Sequence, residues 1–183
     1  MSSSGNIRTG LSGRPLACVA GQLGRPPHPI SRVTVKCPWG CPAVVENLPY
    51  DAHGTPFPTL FYVTCPTLVS AIGAVESGGG VARFTGLAEA DQDLAASLRE
   101  AVAYERRRRR RLVRRFDLVP GDGGAALEGG VGGVADAATL KCLHAHGAHG
   151  LTRPRYVLGR LVVAEAGELW CADRRCQAGP ASC

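Results

Sequence analysis

Lysine is nearly absent from this chain: Lys36 and Lys141 are the only two among 183 residues, so the formal net charge of +6 rests on arginine. That charge is local, because residues 106–111 form an unbroken arginine run followed by Arg114 and Arg115. Also missing are any apolar run approaching bilayer length and any N-terminal charged segment leading into an apolar one. These absences predict a cytoplasmic protein with no membrane span, whose thiols stay reduced. Eight cysteines in that setting point away from a disulfide framework and toward metal binding, catalysis or plain burial. No Cys-x-x-Cys pair occurs, so the tight knuckles of most structural zinc sites are lacking. The glycine-rich stretch 121–133 has neither a Walker lysine nor a preceding strand, which leaves a phosphate-loop reading little support.

What is present suits one α+β domain, since 45% hydrophobic residues provide for a core. Residues 1–22 read as a mobile arm with at most a short helical turn around Cys18, and 177–183 as a tail, so Cys18 and Cys183 are expected to be peripheral. Between them, the folded unit is expected over 23–176. Residues 32–37, 43–46 and 59–64 carry strand signals, and turn residues separate them. A three-stranded antiparallel meander follows, packed with several helices. In a meander the first and third strands run the same way, and both finish in Cys-Pro, at Cys37-Pro38 and Cys65-Pro66. Their thiols should therefore share one end of the sheet, with Cys41 nearby and, like Cys171, without an assigned role.

Pro66 opens a predicted helix with Leu68, Val69, Ile72 and Val75 at helical spacing. Cys65 would then sit at the positive end of a helix dipole, where thiolate is favoured. One long helix is predicted over 87–116, followed by the glycine-rich connection 121–133. A further helix is predicted from near Ala137, capped by Asp136, and Pro154 separates it from a last amphipathic stretch over 156–170. The richest segment for chemistry lies in that predicted helix, where Cys142, His144, His146 and His149 fall within a few residues. At about 100° per residue Cys142, His146 and His149 share a face, and His144 points away. Each lysine directly precedes a cysteine, Cys37 or Cys142, and an adjacent ammonium favours the thiolate form.

Several blocks together resemble a bacterial family, domain of unknown function 501. They are Leu23 to Pro27, Cys37-Pro38 with Gly40 and Val44-Val45-Glu46, Gly54 to Thr59 running on to Cys65-Pro66, Ser70 to Gly73, and Asp136 with Lys141 to His144 and Ala148-His149. Trp170 and Cys176 match the family's closing segment. Many members resemble Cys-Pro-Cys where this chain has Cys37-Pro38-Trp39. Members are often encoded beside a septum-formation initiator, so the resemblance implies cell-division proteins as partners and assigns no chemistry.

Three readings of the thiols stay open. The first is a regulatory or interaction module with a metal site built from Cys37, Cys65 and Cys142 and completed by His146, His149 or Cys176, with zinc placed ahead of an iron–sulfur cluster because histidines are present. The second is a metal- or thiol-dependent enzyme with a Cys/His site, the thiol form using Cys65 or Cys142 as nucleophile with His144 or His149 as base. The third is a set of buried thiols behaving as small hydrophobes. A closed four-ligand site favours the module, whereas three ligands beside a pocket favour the enzyme. Arg106, Arg107, Arg108, Arg109, Arg110 and Arg111 are expected to form a solvated helix face, removable with little effect on folding, or else to contact a polyanion, nucleic acid or anionic lipid. Glu46 and Asp136 are candidates to orient a histidine.

Overall fold

In the computed structural model, which describes residues 10–136, 139–177 and 183, all six residues of the strand β2 (Pro42–Asn47) are buried. A strand buried along its whole length needs cover on both faces, and the chain supplies it. β1 (Ile30–Lys36) and β3 (Phe61–Val63) pair antiparallel on either side of β2, giving the order β1-β2-β3 expected of a meander. The first helix, α1 (Gly13–Leu23), lies against the sheet with Val19 packed on Ile30 and Val45. Three turns of helix thus occupy residues of the N-terminal arm expected to carry at most one, and Val19 is buried against the sheet. The first nine residues of that arm lie outside the described residues.

α2 (Pro66–Ser77) starts as its sequence predicts, with Pro66 in the first turn, Cys65 as N-cap and Leu68, Ile72 and Val75 buried. The single helix expected over 87–116 is two helices, α3 (Gly80–Ala90) and α4 (Gln92–Phe116). Asp91 breaks it. Its backbone is extended, and its carboxylate accepts from the amides of Asp93 and Leu94 at 2.8 and 3.1 Å, satisfying donors that a continuous helix would have bonded itself.

Beyond the glycine-rich connection, α5 (Leu143–Thr152) begins later than the expected Ala137, which lies outside the described residues. Asp136 closes a local turn instead, accepting from the Thr139 hydroxyl at 2.8 Å, and Cys142 is the N-cap of α5. α6 (Val157–Ala166) crosses α5 closely enough that neither Gly150 nor Gly159 has room for a Cβ. That contact seats His146 and His149 against Tyr156, and His149 against Glu105 of α4. Among the described residues, no helix is long and apolar enough to cross a membrane.

Candidate functional site

The strand ends gather sulfur. Cys37 and Cys41 flank a tight reversal in which the Cys37 amide donates to the Cys41 carbonyl and the Gly40 amide to the Cys37 carbonyl, both at 2.9 Å. Gly40 has φ +82°, a conformation that glycine adopts without a Cβ penalty. Cys65 leaves β3 beside them, its amide donating to the Ala43 carbonyl at 3.4 Å. From α1 comes Cys18, joined to Cys183 in a disulfide with a Cα separation of 5.3 Å. The Cys18, Cys41 and Cys183 sulfurs all lie within 4.8 Å of one another. The C-terminal segment closes over this group: the Trp39 indole donates to the Cys171 carbonyl at 2.7 Å, and the Gln22 amide contacts the Cys176 sulfur at 3.5 Å.

Seven of the eight cysteines thus collect on one side of the domain, including the pair expected to be peripheral. Burial of Cys18, at 1% exposure, is what overturned that expectation. The Cys41 thiol is pushed up to about 11, first by burial and then by the neighbouring Cys37, Cys176 and Cys171. Cys65 is also raised by burial, which outweighs the amides of Leu68 and Thr67 at the start of α2. The helix-terminus argument for a Cys65 thiolate therefore loses to desolvation.

Cys142, His144, His146 and His149 do not join this group, and they divide among themselves. As an N-cap with extended backbone, Cys142 precedes the helix and does not share a face with His146 and His149. Its Sγ lies 3.8 Å from His144 Nδ1, which is also 3.2 Å from the Glu76 carboxylate, while His144 Nε2 bonds the Val69 carbonyl at 2.9 Å. His144 is raised to about 9, chiefly through its hydrogen bond with Cys142, against the opposing effect of burial. Cys142 and His144 line a cavity of about 250 Å³ with apolar walls from Phe61, Val63 and Val69.

His146 is fully buried and meets the Tyr156 hydroxyl at 2.5 Å, while its Nε2 has no partner among the described residues. Burial, with the neighbouring His149, lowers it to about 3, so it is neutral at physiological pH. His149 Nδ1 lies 2.9 Å from the Glu105 carboxylate, whose other oxygen accepts from Arg109 at 2.6 Å. Arg109 also donates to the carbonyls of Gly129, Pro58 and Gly130 at 2.8, 2.9 and 3.1 Å. Glu105, His149 and Arg109 are each 1% exposed or less, so a charged chain crosses the core from the glycine-rich connection to α5.

The arginine run is accordingly not a solvated face. Arg109 is fully buried, Arg108 clasps the buried Glu46 through two bonds of 2.8 and 2.7 Å, and Arg110 pairs with Glu128. Arg107 and Arg111 are exposed, and Arg106 is partly buried. Glu46 orients no histidine: burial alone would raise its carboxyl, but Arg108 and then Arg32 outweigh burial and lower it. Sequence reasoning missed Glu76 and Glu105, the burial of Arg109, and the convergence of Cys18, Cys41 and Cys183. Only the Glu105–Arg109 pair left a signal, its i,i+4 spacing in register with the apolar stripe of Leu98, Val102 and Leu112.

The fold and these groups define an α+β domain with a sulfur-rich sheet end backed by a buried chain of charged side chains. The profile of the family described as protein of unknown function (DUF501) matches residues 33–164, most of the chain, and the protein belongs to that family. No curated protein and no solved structure matches it. Cys37, Cys41, Cys65 and Cys142 fall inside the matched residues, whereas Cys18, Cys171, Cys176 and Cys183 fall outside.

Proposed function

We propose that this protein is a metal-binding module, acting in regulation or protein interaction, whose metal is held by the cysteines at the sheet end. The observation that carries this reading is the mutual approach of the Cys18, Cys41 and Cys183 sulfurs to within 4.8 Å, with Cys37 next to Cys41 across the tight reversal. Reduction of the Cys18–Cys183 bond gives four thiols in one group, the donor set of a closed tetrahedral site, and Cys65 and Cys176 stand next to it. Crowded buried thiols raise one another, and a cation would reverse that penalty by stabilising the thiolates. An all-sulfur set suits zinc and an iron–sulfur cluster alike, because no histidine takes part to favour zinc.

The test is elemental analysis and an absorption spectrum of protein purified anaerobically, under reduction and without a histidine tag. Bound zinc, or iron with sulfide and visible absorption, is expected; Cys41→Ser should lose it and Cys142→Ser should keep it. Protein that takes up neither after anaerobic reconstitution rejects the reading.

A second reading, a thiol- or metal-dependent enzyme, is favoured by one specific observation. Glu76, Cys142 and His144 present their ligand atoms within 4.8 Å of one another beside the apolar cavity. A thiol next to an imidazolium at a helix N-terminus is the setting in which cysteine acts as a nucleophile. In this reading Cys142 alkylates with iodoacetamide faster than the buried thiols, and His144→Gln slows it. Equal rates in both proteins reject the pairing.

A further inference from the structure

A second concavity, of about 360 Å³, is walled by α4 and by the connection between α5 and α6. Arg107, Arg153 and Arg155 line it together with Tyr104, Tyr156 and His149. Glu100 is the only carboxylate among its lining residues, so the wall carries an excess of positive charge. Arg107 and Arg155 form no ion pair or side-chain hydrogen bond among the described residues. The Arg153 guanidinium lies only over the Tyr104 ring, at 4.5 Å. Within the arginine run of α4, Arg108, Arg109 and Arg110 are by contrast each matched to a glutamate.

Three guanidinium groups without an ion-pair partner around one concave site, set against the single carboxylate of Glu100, give the wall a positive potential that favours an anion. The fourth polar member is more deliberately built. His149, 1% exposed, is fixed by Glu105 through Nδ1, which leaves Nε2 as the ring's remaining hydrogen-bonding atom. Glu105 is in turn held by Arg109, so the imidazole has a fixed orientation that bulk solvent does not supply. Burying such a chain is costly, and Arg109 already has three carbonyl partners, so its own satisfaction does not require His149.

We infer that this cavity is a binding site for a phosphate group, carried by inorganic phosphate, pyrophosphate or a small phosphate monoester. Arg107, Arg153 and Arg155 supply planar forks that match phosphate oxygens, and His149 sits in the wall they surround. The concave shape selects a small ligand. A nucleic-acid duplex would need an extended cationic track, and on α4 that track is interrupted by the glutamate-matched arginines.

Calorimetric titration of the full chain at low salt tests this, with inorganic phosphate, pyrophosphate, ribose 5-phosphate and a short DNA duplex as separate probes. Saturable binding by at least one small probe is expected, and the tightest identifies the source of the phosphate. Arg153→Gln and Arg155→Gln should each weaken that binding by about tenfold or more. Arg83→Gln, which removes a guanidinium paired with Glu165 outside the cavity, should leave it unchanged. Melting temperature is followed for all three, and because Arg153 and Arg155 are exposed, these variants should fold. No saturable binding by any small probe, binding by the duplex alone, or equal weakening in Arg83→Gln would overturn the inference.

Discussion

Glu46 is where electrostatics and burial meet most sharply. Its carboxylate is fully buried on β2 and accepts from Arg108 at 2.8 and 2.7 Å and from Arg32 at 3.1 and 3.5 Å, so the strand is tied to α4 across the core. Because the folded carboxyl lies below its ordinary value, the native state holds the proton less tightly than the unfolded chain. The resulting stability is present above the ordinary glutamate range and drains away as pH falls through the depressed folded value, at a slope of at most about 1.4 kcal/mol per pH unit for one proton. Glu46→Gln should lower stability by about 2–4 kcal/mol at neutral pH, by leaving the partly buried Arg108 beside a neutral group, and should flatten the acid limb of a urea-unfolding series. An acid limb as steep as in the native protein would show that other carboxylates control it. The arginine run makes the same point by contrast. Arg109→Gln should cost about 3–5 kcal/mol because Glu105 loses its buried partner, while Arg111→Gln should stay within about 0.5 kcal/mol, both read by urea unfolding.

At the scale of elements, α4 explains why part of this fold was legible and part was not. The meander could be read because alternation, turn residues and the repeated strand-Cys-Pro ending all agree, and the two chain reversals leave little freedom. The break at Asp91 was hidden because Leu87 and Leu94 keep a helical spacing across it, although Leu87 is 43% exposed and belongs to another helix. Its signal was the Asp91 side chain itself, and Asp91→Ala should destabilise by about 1 kcal/mol through loss of the N-cap, a change visible as a lowered melting temperature. In α5 the helix was foreseen, but its start was placed too early. That error moved Cys142 from the cap onto a helical face and fused three separate environments into one expected site. Neither Glu76, which reaches Cys142 and His144 from α2, nor the approach of Cys18 to Cys41 could be read locally, because each depends on which helix covers which edge of the sheet.

For the whole molecule, the decisive fact is that α1 and Cys183 are joined at the sheet end. Cys18 and Cys183 are 165 residues apart in sequence, and a link of that span removes a large share of the unfolded chain's freedom. The same two sulfurs stand against Cys41, so under the proposed metal reading the group would hold α1 and the C-terminal segment together in two ways: by a covalent bond when oxidised, and by shared metal ligation when reduced. These two states compete for the same atoms. Reducing the metal-free protein should therefore lower its melting temperature by several degrees, because a contribution of about 2–4 kcal/mol is lost with the bond. Adding zinc to the reduced protein should restore much of that loss, since a ligand that binds only the folded state stabilises it by mass action. Zinc added to the oxidised protein should have little effect, because two of the four sulfurs are occupied. A Cys183→Ser variant separates the two contributions: it should melt at the reduced, metal-free temperature under oxidising conditions and respond weakly to zinc under reducing ones. If reduction leaves the native melting temperature unchanged, packing alone holds the sheet end, and if zinc stabilises the oxidised and reduced forms equally, the metal sits away from Cys18 and Cys183.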